Sequence, residues 1–313
     1  MATIDWTQLV QLESKWIEKH LRAQTHTRNV KTLVRGYTIP FSGTNNDHQS
    51  FTRALGEIIG QFTHSKAEIE KLGVVPALKA AEKMFGNIQP STEGKYGELI
   101  LFALVESILQ CPMVAHKIPS SFNDQVKGGD GIFIGDYEYS DSKYHPAILI
   151  GESKIWQDYA AALKDSLESV NRFHDDPASP RFNAQEFIVA RKGVVTASGI
   201  DPEVLYNYLT PDTEEYRQNI LVHPTFIMYE TSQISTIEGK ALTTDEAENL
   251  IKRYITGRHN KHIELINEKL TSYPGIKTAY LDFFILPVKS VDKFRDQLFY
   301  EIHGVPYTKL PTP

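Results

Sequence analysis

The chain has 313 residues, 41% of them hydrophobic and 23% charged, a globular composition with room for one large or two smaller domains. No apolar run reaches the ~18 residues of a membrane span, no signal peptide is expected from the opening MATIDWTQLV, and the single cysteine, Cys111, excludes internal disulfides and multi-thiolate zinc sites. The formal charge of −6 runs against the basic footprint of a self-sufficient nucleic-acid binder, and a cytoplasmic location is expected.

Trp6, Leu9, Leu12, Trp16, Ile17 and Leu21, at mixed three- and four-residue spacings, predict an amphipathic helix over 4–23. Lys19, His20, Arg22, His26, Arg28, Lys31 and Arg35 form an overlapping basic stretch. Its commoner role is a solvated face, the alternative being contact with nucleic acid or an acidic partner. A short strand is predicted over 34–41, then a loop at 43–47 with Asn46 or Asp47 capping a helix through residue 62. A helical pair over 66–84 breaks near Gly73 and Pro76. The Pro/Ser/Thr/Gly stretch at 88–94 is the candidate boundary. It divides a mainly helical N-terminal region, 1–90, suited to a partner or regulatory role, from a core domain, 91–313.

Residues 97–109 are apolar nearly all round and predict a buried helix. Glu98 stands in its first turn, on one stripe with Leu101, Phe102, Val105 and Leu109. An acid there is favourable by ~0.3–1 kcal/mol through the helix dipole alone. A strand over 112–118 leads into the stretch GGDGIFIGDYEYSDSKYHPAILIGESKIW, residues 128–156. This reads as a hairpin: a roughly alternating strand over 131–139, a polar turn at Ser140, Asp141 and Ser142, and a run over 147–150 apolar on both faces. With a period of two, Ile148, Ile150, Glu152 and Lys154 share a face. Pairing centred on Ser142 places Asp130 opposite Lys154 and beside Glu152, on that same face.

A helix over 157–173 follows, then a loop at 175–180 and a short apolar segment at 186–190 compatible with helix or strand. Helices are predicted at 204–209 and 214–219, a strand at 221–230, helices at 244–254 and 263–270, a strand at 279–288 and a closing helix at 291–302. Arg253, Arg258, His259, Lys261 and His262 fall between two of these helices, as a solvated cluster or a guide for a phosphate backbone. Asp136, Glu138 and Asp141 read as a solvated turn, because their spacing does not fit a calcium loop. The order from residue 95 suits an α/β fold, a central mixed sheet flanked by helices. Neither a nucleophile-elbow serine nor a phosphate-cradling G-x-x-x-x-G-K loop occurs, so no nucleotide cofactor is expected on this chain.

Charges at the mouth of a buried strand need partners or a metal, since burying a lone carboxylate costs several kcal/mol, roughly. Asp130, Glu152 and the backbone carbonyl of Ser153 offer the hard oxygen ligands that Mg²⁺ prefers, with Mn²⁺ as an expected substitute. Lys154 stands where it can orient a water and neutralise charge on a phosphate. A same-face salt bridge at a strand end is the bland alternative.

Asp130 followed by Glu152-Ser153-Lys154 resembles the PD-(D/E)XK nuclease superfamily, with Gly129 where its name has proline. Over most of the chain the sequence resembles the HamA family, nuclease subunits of the Hachiman anti-phage defence systems. YGELILFALVE (96–106), GGDGIF (128–133) and ILIGESKIW (148–156) carry the likeness, with a weaker contribution from YTIPF (37–41). The resemblance implies a restriction-endonuclease-like core, a Mg²⁺-dependent DNA nuclease, and a separate helicase that restrains it. It also implies that Glu98 completes the metal shell. The alternatives are a non-catalytic adaptor that keeps the nuclease fold, and a ribonuclease.

Overall fold

A computed structural model describes residues 5–85, 94–115, 129–174, 202–210 and 213–307. Its strands are β1 (Arg22–Asn29), β2 (Thr32–Thr38), β3 (Phe41–Ser42), β4 (Asn45–Asn46), β5 (Met113–Ala115), β6 (Gly131–Ser140), β7 (Lys143–Trp156), β8 (Ile220–Glu230) and β9 (Tyr280–Val288). Seven of them form one mixed sheet in the order β1-β2-β9-β8-β7-β6-β5. β2, β9, β8 and β7 run parallel, with one antiparallel pairing (β1 with β2) on one side and two (β6 with β7, β5 with β6) on the other. The expected fold class, a mixed sheet flanked by helices, is what is found. The expected linker at 88–93, residues 116–118 of the expected first strand, the loop at 175–180 and the segment at 186–190 lie outside the described residues.

The N-terminal helices are α1 (Trp16–His20), α2 (His48–Glu57), α3 (Ile59–Thr63), α4 (Lys66–Leu72), α5 (Val74–Phe85) and α6 (Lys95–Leu104). After β7 come α7 (Tyr159–Asn171), α8 (Pro202–Leu209), α9 (Glu214–Arg217), α10 (Gln233–Lys240), α11 (Thr244–Leu270) and α12 (Val291–His303). One face of the sheet, with Leu149, Ile155, Phe226, Met228 and Phe284, packs under α2, α6 and α12. The other, with Ile227, Tyr229, Phe283 and Ile285, packs under α7 and α11. Coverage on both sides explains why β7, β8 and β9 are apolar without alternation. Among the described residues no helix is long and apolar enough to cross a membrane.

The N-terminal region departs from the reading of the sequence. Of the helix expected over 4–23, a 3₁₀ turn (Trp6–Leu9) and α1 form, and β1 begins at Arg22. Tertiary contacts override the helical spacing. Trp6 meets Tyr208 edge-on at 5.1 Å, while the backbone N–H groups of Gln11 and Leu12 donate to Glu106. The region expected to be mainly helical thus gives β1 and β2 to the main sheet. Its basic stretch is not one face: Arg35 is paired with Asp282 and Lys19 with Glu13, while Lys31 donates to the carbonyl of Thr278.

The cluster expected between two helices lies inside one, the 27-residue α11. Ile251, Ile255, His259, His262 and Ile266 form its buried stripe. His259 is held through both ring nitrogens, by the Thr25 and Thr27 hydroxyls at 2.9 Å each. At the hairpin tip Glu138 accepts from the Ser142 amide at 2.8 Å, which makes that acid part of the turn.

Candidate active site at the open edge of β7

The hairpin turn sets the register of the site. Ser140 pairs with Lys143 across Asp141 and Ser142, the latter in a left-handed conformation (φ +57°). An irregularity between Glu138 and Ser140 then brings Gly131 opposite Gly151. Continuing that register puts Asp130 opposite Glu152, not opposite Lys154 as pairing centred on Ser142 predicts. The shift is two residues, so the face on which each side chain emerges is unchanged.

Glu152 lies on the α7 face of β7, 3% exposed. The ammonium of Lys154, two residues on, pairs with its Oε1, and the Ser169 hydroxyl of α7 hydrogen-bonds to it. Burial, then the charge of Asp130, hold the Glu152 carboxyl well above the usual carboxylate range, against the pull of Lys154. Lys154 and Asp130 are half-buried and form the more open flank of the group.

Asp130 sits just before β6, its amide donating to the Gly151 carbonyl at 2.8 Å. Its Oδ2 accepts from the Ser153 amide at 2.7 Å and from the Ser153 hydroxyl at 2.6 Å. The carboxylate therefore turns onto the edge of β7 instead of lying flat on the face of Glu152 and Lys154. The Ser153 carbonyl, the expected third oxygen, leaves the strand on the same edge as its amide. Ser153 also faces α6: a Cβ at Gly97 would stand 2.6 Å from its hydroxyl oxygen. Only glycine lets the start of α6 approach so closely. Glu98 is the next residue, half-buried in the first turn of α6. Among the described residues no three His, Cys, Asp or Glu side chains gather as a ligand set. Glu98 is thus not drawn together with Asp130 and Glu152.

Two histidines back the site. His223 of β8, fully buried, has Nδ1 3.1 Å from the Ile150 carbonyl and Nε2 2.8 Å from Nε2 of His174. Burial and the neighbouring imidazole hold His223 near 3, so it is neutral. It then donates through Nδ1 to Ile150 and accepts from His174. None of Ser153, Ser169, His174 or His223 was singled out in the sequence as a side chain of the site. The one available signal was small polar residues, Ser166 and Ser169, on the buried face of α7.

Asp130, Glu152 and the Ser153 carbonyl present hard oxygen donors, which fits a divalent cation such as Mg²⁺. A carboxyl pushed up by burial and by a second carboxylate is the electrostatic state that such a cation would relieve. A model of the HamA family matches residues 11–302. No curated protein matches the chain.

Proposed function

The chain belongs to the HamA family, which relates it to Hachiman antiviral defence, and from that premise we propose that it is a metal-dependent nuclease that hydrolyses DNA. One observation carries this reading: a buried carboxylate, Glu152, paired with the Lys154 ammonium and raised by the charge of Asp130, where the pairing of β7 with β6 has ended. Asp130 and Glu152 would hold Mg²⁺, with the Ser153 carbonyl between them; Glu98, outside that group, would support the shell only through water. Bound there, the ion would supply Lewis acidity toward a phosphodiester oxygen and lower the pKa of a bound water.

The chain's own groups do the rest. Lys154 opposes the burial that raises the Glu152 carboxyl and offers its remaining N–H donors to an attacking water or a phosphate oxygen. Ser153 fixes the rotamer of Asp130 through two hydrogen bonds, and Ser169 does the same for Glu152. A helicase partner, implied by the family resemblance, would supply the DNA grip that a chain of net charge −6 lacks.

The near-complete burial of Glu152 and its closed pair with Lys154 also suit a non-catalytic adaptor. Plasmid and RNA cleavage by the purified protein in Mg²⁺, alone and with its partner helicase and ATP, separates the readings. Glu152→Ala and Lys154→Ala are each expected to keep the circular dichroism of the wild type. Each should lower cleavage by two to three orders of magnitude, on the order of 3–4 kcal/mol of barrier. Equal cleavage by wild type and Glu152→Ala, or none by either with the partner and DNA present, would establish the adaptor.

A further inference from the structure

A cleft of about 620 Å³ opens beside the candidate active site, lined by Gly97, Ser153, Lys154 and Trp156, by the start of α7, and by Arg295 of α12. It follows the edge of β7 beyond Gly151, where the pairing with β6 has ended. Two of the backbone groups on that edge are taken by side chains. Asp130 holds the Ser153 amide, and Nη2 of Arg295 donates to the Ile155 carbonyl at 2.8 Å. The buried Nε of Arg295 has no hydrogen-bond partner among the described residues. Arg295 as a whole is half-buried and lines the cleft, and a guanidinium there suits an anionic oxygen.

Trp156 is 45% exposed at the rim, whereas Trp6 is 8% exposed and Trp16 is partly buried. Among the described residues no ring stands against this indole, which leaves a stacking surface beside a carboxylate–lysine site. Lys154 and Trp156 are two residues apart on one strand, about 6.6 Å, a span of about two stacked nucleotides. Among the described residues the charges along the cleft balance, Lys154 and Arg295 against Asp158 and Asp292, and Asp158 is engaged in capping α7 through the Ala161 amide. A balanced cleft grips a phosphate backbone weakly through charge alone. It suits a strand whose bases are free to stack.

We propose that this cleft binds single-stranded nucleic acid, one base stacked on Trp156 and an adjacent phosphate on Arg295, so that the next phosphodiester reaches Lys154. The proposal rests on the hydrolytic reading of Asp130, Glu152 and Lys154. Trp156 and Arg295 are positioning residues.

The test is binding in EDTA, where cleavage is suppressed. Fluorescein-labelled oligothymidylate, oligouridylate of the same length and a blunt duplex are titrated against the full chain by anisotropy. Unlabelled strands are followed by tryptophan emission. Single strands are expected to quench the emission and Trp156→Phe to abolish the quench, since Trp6 and Trp16 remain. Trp156→Ala and Arg295→Ala are expected to weaken single-strand binding about tenfold with unchanged circular dichroism. The two single strands distinguish DNA from RNA. If Arg295→Ala unfolds, the Trp156 variants decide alone.

A quench that survives in Trp156→Phe, a Trp156→Ala that binds like wild type, a preference for the duplex, or no binding of either strand overturns the proposal. If only Trp156→Ala behaves like wild type while Glu152→Ala has lost cleavage, the cleft assignment falls and the hydrolytic reading stands. If Glu152→Ala cleaves normally while Trp156→Ala has lost binding, the reverse holds.

Discussion

Glu106 and Glu152 are both carboxylates withdrawn from water, and they are satisfied in different ways. Glu152 has a cation beside it. Glu106, in a π-helical turn (Val105–Leu109), has none, and accepts from the amides of Gln11 at 2.7 Å, Leu12 at 3.2 Å and Met113 at 3.1 Å. Burial outweighs these three donors and pushes the Glu106 carboxyl from 4.5 up to about 7. The folded chain therefore binds this proton more tightly than the unfolded chain does. The stability it contributes is complete below pH 4.5 and is lost as the pH rises through about 7. Urea unfolding across that window should show the wild type losing roughly 3 kcal/mol from this group. Glu106→Gln should flatten the slope, Glu152 adding the same sign in both proteins. An identical slope in the variant would mean that the three amides prevail over burial. Glu152 was legible in the sequence because its partner is two letters away. Glu106 was not, because Gln11 is 95 positions distant.

Among the elements, α11 shows how polar residues can hide a helix. The charged and histidine-rich cluster from Arg253 to His262 reads as lying between two helices, yet both histidines occupy the buried stripe. Their ring nitrogens are satisfied by Thr25 and Thr27 for His259 and meet the Tyr229 hydroxyl at 3.5 Å for His262. The same pairing explains why β1, RAQTHTRN, escaped notice: its threonines face α11 and its charged residues blunt a sheet edge. Strands β8 and β9 were legible for the opposite reason, being apolar on two covered faces. Gly257 is exposed, and an added Cβ would meet nothing within 4 Å. Gly257→Ala should therefore stabilise the protein by about 0.5–1 kcal/mol, read as a higher midpoint in thermal or urea unfolding. A lower midpoint would show that the helix needs its glycine.

At the scale of the molecule, Asp282 joins three distant parts of the chain. Fully buried on β9, it accepts Nε of Arg35 at 2.9 Å and Nη2 at 3.0 Å from β2, and the Tyr137 hydroxyl at 3.3 Å from the hairpin. Asp282→Ala strands a buried guanidinium and should cost about 3–5 kcal/mol. Fluorescence and circular dichroism should still report one shared transition in the wild type. Two separated transitions would mean that the N-terminal strands fold apart from the rest. The sheet class was readable from the order of elements after residue 95, but the entry of residues 22–38 into the same sheet was not, since β2 pairs with a strand almost 250 positions away. That pairing has a consequence for synthesis. β9 lies between β2 and β8, so a nascent chain already carrying Asp130, Glu152 and Lys154 has two half-sheets with nothing to join them until translation passes residue 288. A product that stops before residue 280 would lack the strand that joins the two halves of the sheet.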